Sequence, residues 1–155
     1  VKVTLLAVGR LGRASEAMLA KDYAERATAA GRALGLGPVE ILEVESKKPG
    51  KEAEADALLA ALPDGAHLIA CDEHGMALPS RTFADRIARL RDGGERRLVL
   101  VVGGADGLSA RILEAAKERL AFGAQTWPHA LVRAMLAEQV YRAVTILGGS
   151  PYHRD

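Results

Sequence analysis

The chain has one cysteine, Cys71, so no internal disulfide is possible. A chain without crosslinks fits a reducing compartment. No N-terminal run joins a basic start to an uninterrupted apolar stretch, and no segment approaches the roughly 20 apolar residues needed to span a bilayer. The expectation is a cytoplasmic protein without a membrane partner. Charge of one sign is also lacking: the net value is only +1, too small for long-range attraction of a polyanion, so any nucleic-acid contact must use local patches. His67, His74, His129 and His153 show no zinc-ligand spacing, and no metal site is expected. A G-x-S-x-G nucleophile elbow, internal repeats and low-complexity tracts are absent as well.

What remains is an ordinary globular composition over 155 residues, 49% hydrophobic and 26% charged, read as a single domain spanning 1–155. Apolar runs at Val3 to Val8, Val39 to Val44, His67 to Cys71 and Arg97 to Val102 predict strands. Ala-rich periodic segments predict helices at Ser15 to about Leu34, Lys51 to Leu62, Ser80 to Leu90 and Ser109 to Leu120, with Ser15, Ser80 and Ser109 as N-caps. "FGAQTWP" follows as a fifth short strand or extended segment, then a helix from about His129 to Leu147. Near-continuous apolar strands alternating with helices predict a parallel sheet covered on both faces, an α/β/α sandwich.

Two stretches are rich in cations. "RTFADRIARLRDGGERR" sets Arg81, Arg86, Arg89, Arg91, Arg96 and Arg97 against three acids, and "SKKPGK" adds Lys47, Lys48 and Lys51 on a loop. Charge pairs on a solvated helix face account for the first of these. The last helix has Val132, Leu136, Val140, Ala143 and Leu147 on one side, and Leu131, Ala134, Met135 and Tyr141 on the other. Two apolar sides imply two partners, the second of them another subunit. Glu138 and Arg142 stand on that second side, spaced for an ion pair that either bridges the interface or borders a pocket.

Three motifs could carry chemistry. In "LVLVVGGADGLSARI" a buried strand runs into Gly103, Gly104 and Gly107, at the sheet edge where open α/β folds bind ligands. In "AFGAQTWPHALVR", Gly123 and Pro128 bracket a segment that cannot be continuous helix and whose free backbone groups can meet an adenine edge. The third is "PYHRD" at the end of the chain, which puts Tyr152, His153 and Arg154 where chains usually fray. Of the four histidines, His153 is the best candidate for proton transfer, since an imidazole titrates near neutrality.

Taken together, "LVVGGADGLS", "WPHALVRAMLAEQVYRA", the terminal "PYHRD" and the opening "VKVTLLAVG" resemble the RlmH family, ribosomal RNA large-subunit methyltransferases of the SPOUT superfamily. The resemblance runs along the whole chain and is strongest from Leu98 to Asp155. It implies a deep trefoil knot in the C-terminal half and a homodimer. It also implies S-adenosyl-L-methionine as cofactor, and as substrate a pseudouridine of large-subunit (23S) ribosomal RNA, methylated at N3 within the assembled ribosome. Carried over by position, cofactor contacts fall on Cys71, Gly103, Phe122, Gly123, Ala124, Gln125, Thr126 and Trp127, with the backbone of Cys71 expected to matter and not its thiol. His153, Arg154, Tyr152, Glu138 and Arg142 are the expected catalytic set. In it His153 is the base and Glu138 its rival, Arg154 holds an imide oxygen or a phosphate, Tyr152 contacts the base and Arg142 shapes the pocket. Two other readings stand beside this one. A small nicotinamide-dependent oxidoreductase would bind NADH, and a ribosome-associated protein without turnover would bind particles and transfer nothing.

Overall fold

The computed structural model describes residues 1–155 as five parallel strands with helices on both faces. In chain order they are β1 (Lys2–Val8), α1 (Ser15–Gly31), β2 (Val39–Val44), α2 (Lys51–Ala61), β3 (His67–Met76), α3 (Ser80–Asp92), β4 (Arg97–Val102), α4 (Ala110–Ala115), β5 (Glu118–Leu120) and α5 (His129–Leu147). The sheet order is β2-β1-β4-β3-β5, with β4 paired in register to both β1 and β3. No helix is long and apolar enough to cross a membrane.

The period-two side-chain alternation divides the core. Leu5, Ala7, Leu98, Leu100 and Val102 face α1, α3 and α5, and Leu6, Val8, Val99 and Val101 face α2 and α4. Both faces of the central strands are therefore buried, which is why those strands read as unbroken apolar runs. On α5 the most buried line is Leu136, Ala137, Val140, Ala143 and Val144, against α1, α3 and the sheet.

Several sequence expectations need correction. Ser15 and Ser80 are the first helical residues of α1 and α3, preceded by Ala14 and Pro79, and neither hydroxyl caps its helix. Ser80 instead donates to Gln139 Oε1 at 2.7 Å, tying α3 to α5. Ser109 does cap α4, accepting from the Arg111 amide. Helix α1 gives way to a 3-10 turn at Arg32–Leu34. The predicted helix from Ser109 ends at Ala115, and Glu118–Leu120 crosses to the sheet edge beside β3, so "FGAQTWP" is a loop and not the fifth strand. No Gly or Pro marks that break. "AAKERL" has high helical propensity, and tertiary pairing overrides it. Ile69 and Cys71 offer an open edge to Glu118 and Leu120. The Glu118 carboxylate is also held by Arg86 and by the buried His67. Burial pushes that carboxyl up, but the hydrogen bonds from Arg86 and His67 outweigh it and keep it below its usual range.

Candidate functional site

Three segments meet at the C-terminal edge of the sheet and enclose a cleft of about 830 Å³, within the size range of small-molecule sites. Its walls are the end of β3 at Cys71–His74, the β4–α4 turn, and the loop between β5 and α5, with His129 and Val132 closing the far side. The β4–α4 turn is tight. The Gly107 amide donates to the Gly104 carbonyl at 3.1 Å, and Gly107 has φ +78°, in the left-handed region. A Cβ on Gly103 would stand 2.7 Å from the Gly107 carbonyl carbon, so only glycine lets the two backbones approach. Gly103→Ala should therefore push the turn into the cleft, costing about 1–3 kcal/mol of stability and at least tenfold in ligand affinity. Calorimetry and denaturant unfolding on one preparation check both, and normal affinity in this variant would show that the turn does not shape the site.

The β5–α5 loop is closed by its own tryptophan. Trp127 Nε1 donates to the Phe122 carbonyl at 3.0 Å, and Thr126 reaches Glu73 at 3.4 Å. Pro128 then ends the loop, with φ −57° at the cap of α5. Cys71 lines the cleft with its thiol pushed up to about 12 by burial. It is thus neutral at pH 7 and contributes surface and backbone, not a nucleophile. Of the predicted cofactor contacts, Cys71, Gly103, Phe122, Gly123, Gln125, Thr126 and Trp127 line the cleft. Ala124 belongs to the same loop but is exposed and lies off the wall.

The terminal residues are ordered by their own chain. Glu138 Oε1 accepts from Tyr152 Oη at 2.9 Å and from Arg142 Nε and Nη2 at 3.0 and 2.7 Å, while its Oε2 accepts from Gln139. The Arg142 guanidinium lies 4.8 Å from the Tyr152 ring centre, and Tyr141 packs edge-on against the same ring. Burial, with the Glu138 carboxylate second, holds the Tyr152 phenol above its ordinary value, so it stays a neutral donor. Arg142 Nη1 lies 3.1 Å from His153 Nδ1, and His153 Nε2 lies 3.0 Å from Asp155 Oδ1. A guanidinium can only donate, which makes Nδ1 the acceptor and places the imidazole proton on Nε2, donated to Asp155. Asp155 in turn receives both Nε and Nη2 of Arg81 at 2.7 and 2.8 Å. Arg154 is exposed.

The Arg81 guanidinium, with His153 behind it, lowers the Asp155 carboxyl from 3.8 to about 2. A depressed acid stabilises its contact above the unfolded value and loses it as pH falls through the folded value. The tail should therefore stay attached to α3 at pH 4 and detach towards pH 2. A carboxyl-carbon NMR titration of Asp155 would show this, and a midpoint near 3.8 would mean an unhooked tail.

The cleft and the tail cluster are separate places on one chain. His129 and Val132 are on the cleft wall, whereas the tail docks on Glu138 and Arg142, about 9 to 15 Å beyond Val132 along α5 at 1.5 Å per residue. None of Tyr152, His153, Arg154, Glu138 or Arg142 lines the cleft.

A family model described as "Predicted SPOUT methyltransferase" matches residues 1–153. The chain belongs to the SPOUT methyltransferase family. Relatives named "Ribosomal RNA large subunit methyltransferase H" are similar along the whole length. The protein of Caulobacter sp. (strain K31) is 69% identical over 155 residues, covering 100% of both chains. That of Phenylobacterium zucineum is 66% identical with the same coverage, and that of Ruegeria pomeroyi is 54% identical over 99% of both. Among solved structures, the SpoU methyltransferase AviRb from Streptomyces viridochromogenes, in complex with the cofactor AdoMet, aligns with TM-score 0.45 and 17% identity. The alignment covers 91% of this chain and 57% of that one.

The cleft of this SPOUT methyltransferase suits S-adenosylmethionine, the family's cofactor, on chemical grounds. Val102, Leu108, Phe122, Trp127 and Val132 supply apolar surface that suits a flat base, and Asp72 and Glu73 put negative charge on the wall, which suits a ligand carrying an ammonium and a sulfonium. His129 Nδ1 is buried on that wall without a partner from the chain, leaving a polar atom for a ligand to satisfy.

Sequence reasoning missed Arg133. It is buried in the second turn of α5, where Nη1 donates to the Gly9 carbonyl at 2.9 Å and to Glu43 at 2.8 Å, and Nη2 donates to the Val8 carbonyl. Glu43 also accepts from the Leu11 amide, so one partly buried ion pair fixes the ends of β1 and β2 beside the cleft. Burial pulls the Arg133 guanidinium down from its usual value and Glu43 partly restores it. The signal was present: position 133 falls in line with 136, 137 and 140 on the most buried stripe, and an arginine there needs buried acceptors.

Proposed function

We infer that this SPOUT methyltransferase transfers a methyl group from S-adenosylmethionine to N3 of a pseudouridine in large-subunit ribosomal RNA, acting in the cytoplasm on the assembled particle as a knotted homodimer. The observation that carries the reading is the glycine-walled cleft, built from the β4–α4 turn and the β5–α5 loop, the segments to which the family resemblance assigns the cofactor. The names of the full-length relatives support the RNA substrate.

When bound, S-adenosylmethionine supplies a methyl group already activated on a sulfonium, so the chain needs no covalent nucleophile. The chain's tasks are to align the nucleobase and to take the N3 proton. His153 suits the second task by chemistry, but its Nδ1 lone pair is occupied by Arg142 in the free chain, so accepting a proton there requires Arg142 to release it. Glu138, with three donors on Oε1 and one on Oε2, serves as the anchor that positions Arg142 and Tyr152. Tyr152 then presents its ring to the base, and Arg154 is free to meet an imide oxygen or a phosphate.

A dimer reconciles the geometry. Because the tail does not line the cleft of its own chain, the partner subunit's tail would complete the site. The half-buried second face of α5 and the exposed Met18 and Leu19 on α1 leave apolar surface for that contact. The test is incubation with labelled S-adenosylmethionine and ribosomal particles from cells lacking the enzyme, followed by mapping of the modified nucleotide. Label on one large-subunit pseudouridine at N3 is expected, with weak binding to naked RNA fragments. Binding of NADH in place of S-adenosylmethionine, or particle binding without label transfer, would overturn the reading.

A further inference from the structure

The charges of this chain nearly cancel in total, but they do not cancel by place. The loops after β1 and β2 carry Arg10, Arg13, Lys47 and Lys48, and Lys51 opens α2 in place of the loop position expected from the sequence; all five are exposed. The two loops form one surface: the Gly9 amide donates to the Val44 carbonyl at 2.8 Å, and Glu43 holds the Leu11 amide. Of the five cations only Arg10 has a carboxylate within reach, Glu45 at 3.3 Å. Lys51 stands on the wall of the cleft itself, so the row of charge runs to the mouth of the site. The arginine-rich α3 segment is different. Arg81, Arg86 and Arg91 are neutralised by Asp155, Glu118 and Asp92, and the cations left without a carboxylate, Arg89 in the last turn of α3 and Arg96 and Arg97 at the start of β4, lie off the cleft.

Unpaired cations crowded on one rim repel one another, and of the five only Lys51 lines the cleft. They suit a polyanion that extends past the cleft. We propose that the β1–α1 and β2–α2 loops are the docking surface for the phosphodiester backbone flanking the target nucleotide. The inference rests on the reading of the substrate as RNA and adds where that RNA lies. Such contacts carry no base information; they set the register in which one nucleotide reaches the cleft.

The test compares two triple variants assayed on large-subunit particles. Arg13→Ala/Lys47→Ala/Lys48→Ala should raise KM for particles about tenfold, and flatten the log–log dependence of binding on salt by about 2 to 3. Its kcat at saturation and its S-adenosylmethionine affinity by calorimetry should not change. Arg89→Ala/Arg96→Ala/Arg97→Ala removes the same charge elsewhere and should leave KM and salt slope unaltered. Arg13→Lys/Lys47→Arg/Lys48→Arg should restore the parent values. If the parent methylates particles and the loop variant keeps its KM and slope, or if both alanine variants lose affinity equally, this surface is wrong and the enzymatic reading survives. If the parent transfers no methyl group to RNA, both fall.

Discussion

Arg133→Met should destabilise the fold by about 2–3 kcal/mol, less than the cost of stranding one member of a fully buried ion pair because Glu43 is partly exposed. Methionine nearly matches the volume of the arginine stem, so the loss isolates the guanidinium. The carbonyls of Val8 and Gly9 would lose their donor, and the Glu43 carboxylate would keep only the Leu11 amide. A domain of this size is stable by roughly 5–15 kcal/mol, so the effect is a large share of the whole. Urea unfolding measures it directly. The double variant with Glu43→Leu should recover part of the loss, because removing both charges leaves neither stranded. A loss below about 1 kcal/mol in the single variant would mean that water replaces the guanidinium and that Arg133 does not hold the strand ends.

His153→Ala should lower kcat for methyl transfer by about 10²–10⁴, the usual range for a positioned acid or base. S-adenosylmethionine affinity should stay within about twofold, because His153 is assigned to the nucleobase and the cofactor contacts are assigned to the β4–α4 turn and the β5–α5 loop. Glu138→Gln discriminates between the two candidate bases. It removes the charge that orients Arg142 and Tyr152 but keeps an acceptor, so it should reduce kcat by about tenfold, less than His153→Ala does. Unchanged turnover in His153→Ala would remove the imidazole from the mechanism, and a larger loss in Glu138→Gln than in His153→Ala would transfer the role to the carboxylate.

The errors of the sequence reading have a common cause. The helix forecast through Lys117–Leu120 followed propensity correctly and failed because β3 had an unpaired edge. Ser80 looked like a cap and was taken by Gln139 across the helix interface. Arg133 passed unnoticed because its acceptors, Val8, Gly9 and Glu43, are 90 or more residues away in sequence, and local pattern does not report such pairs. The opposite holds for the cleft. Seven of eight forecast contacts line it, because the residues that build it lie in continuous stretches at the ends of adjacent parallel strands.

From the order of its residues alone, this protein already had its alternating strands and helices, a sheet buried on both faces, the glycine turn at the sheet edge and an ion pair at i,i+4 on the last helix. These depend on periodicity and on neighbours within one element, which a linear text records. Only the folded chain decided where β5 pairs, that Arg81 and Arg142 hold the tail, that this tail stands apart from the cleft of its own chain, and which cations stay unpaired at its rim. The reason is physical: each depends on what distant segments bring within a few ångströms, and electrostatic and hydrogen-bond energies depend on that distance and not on separation along the chain.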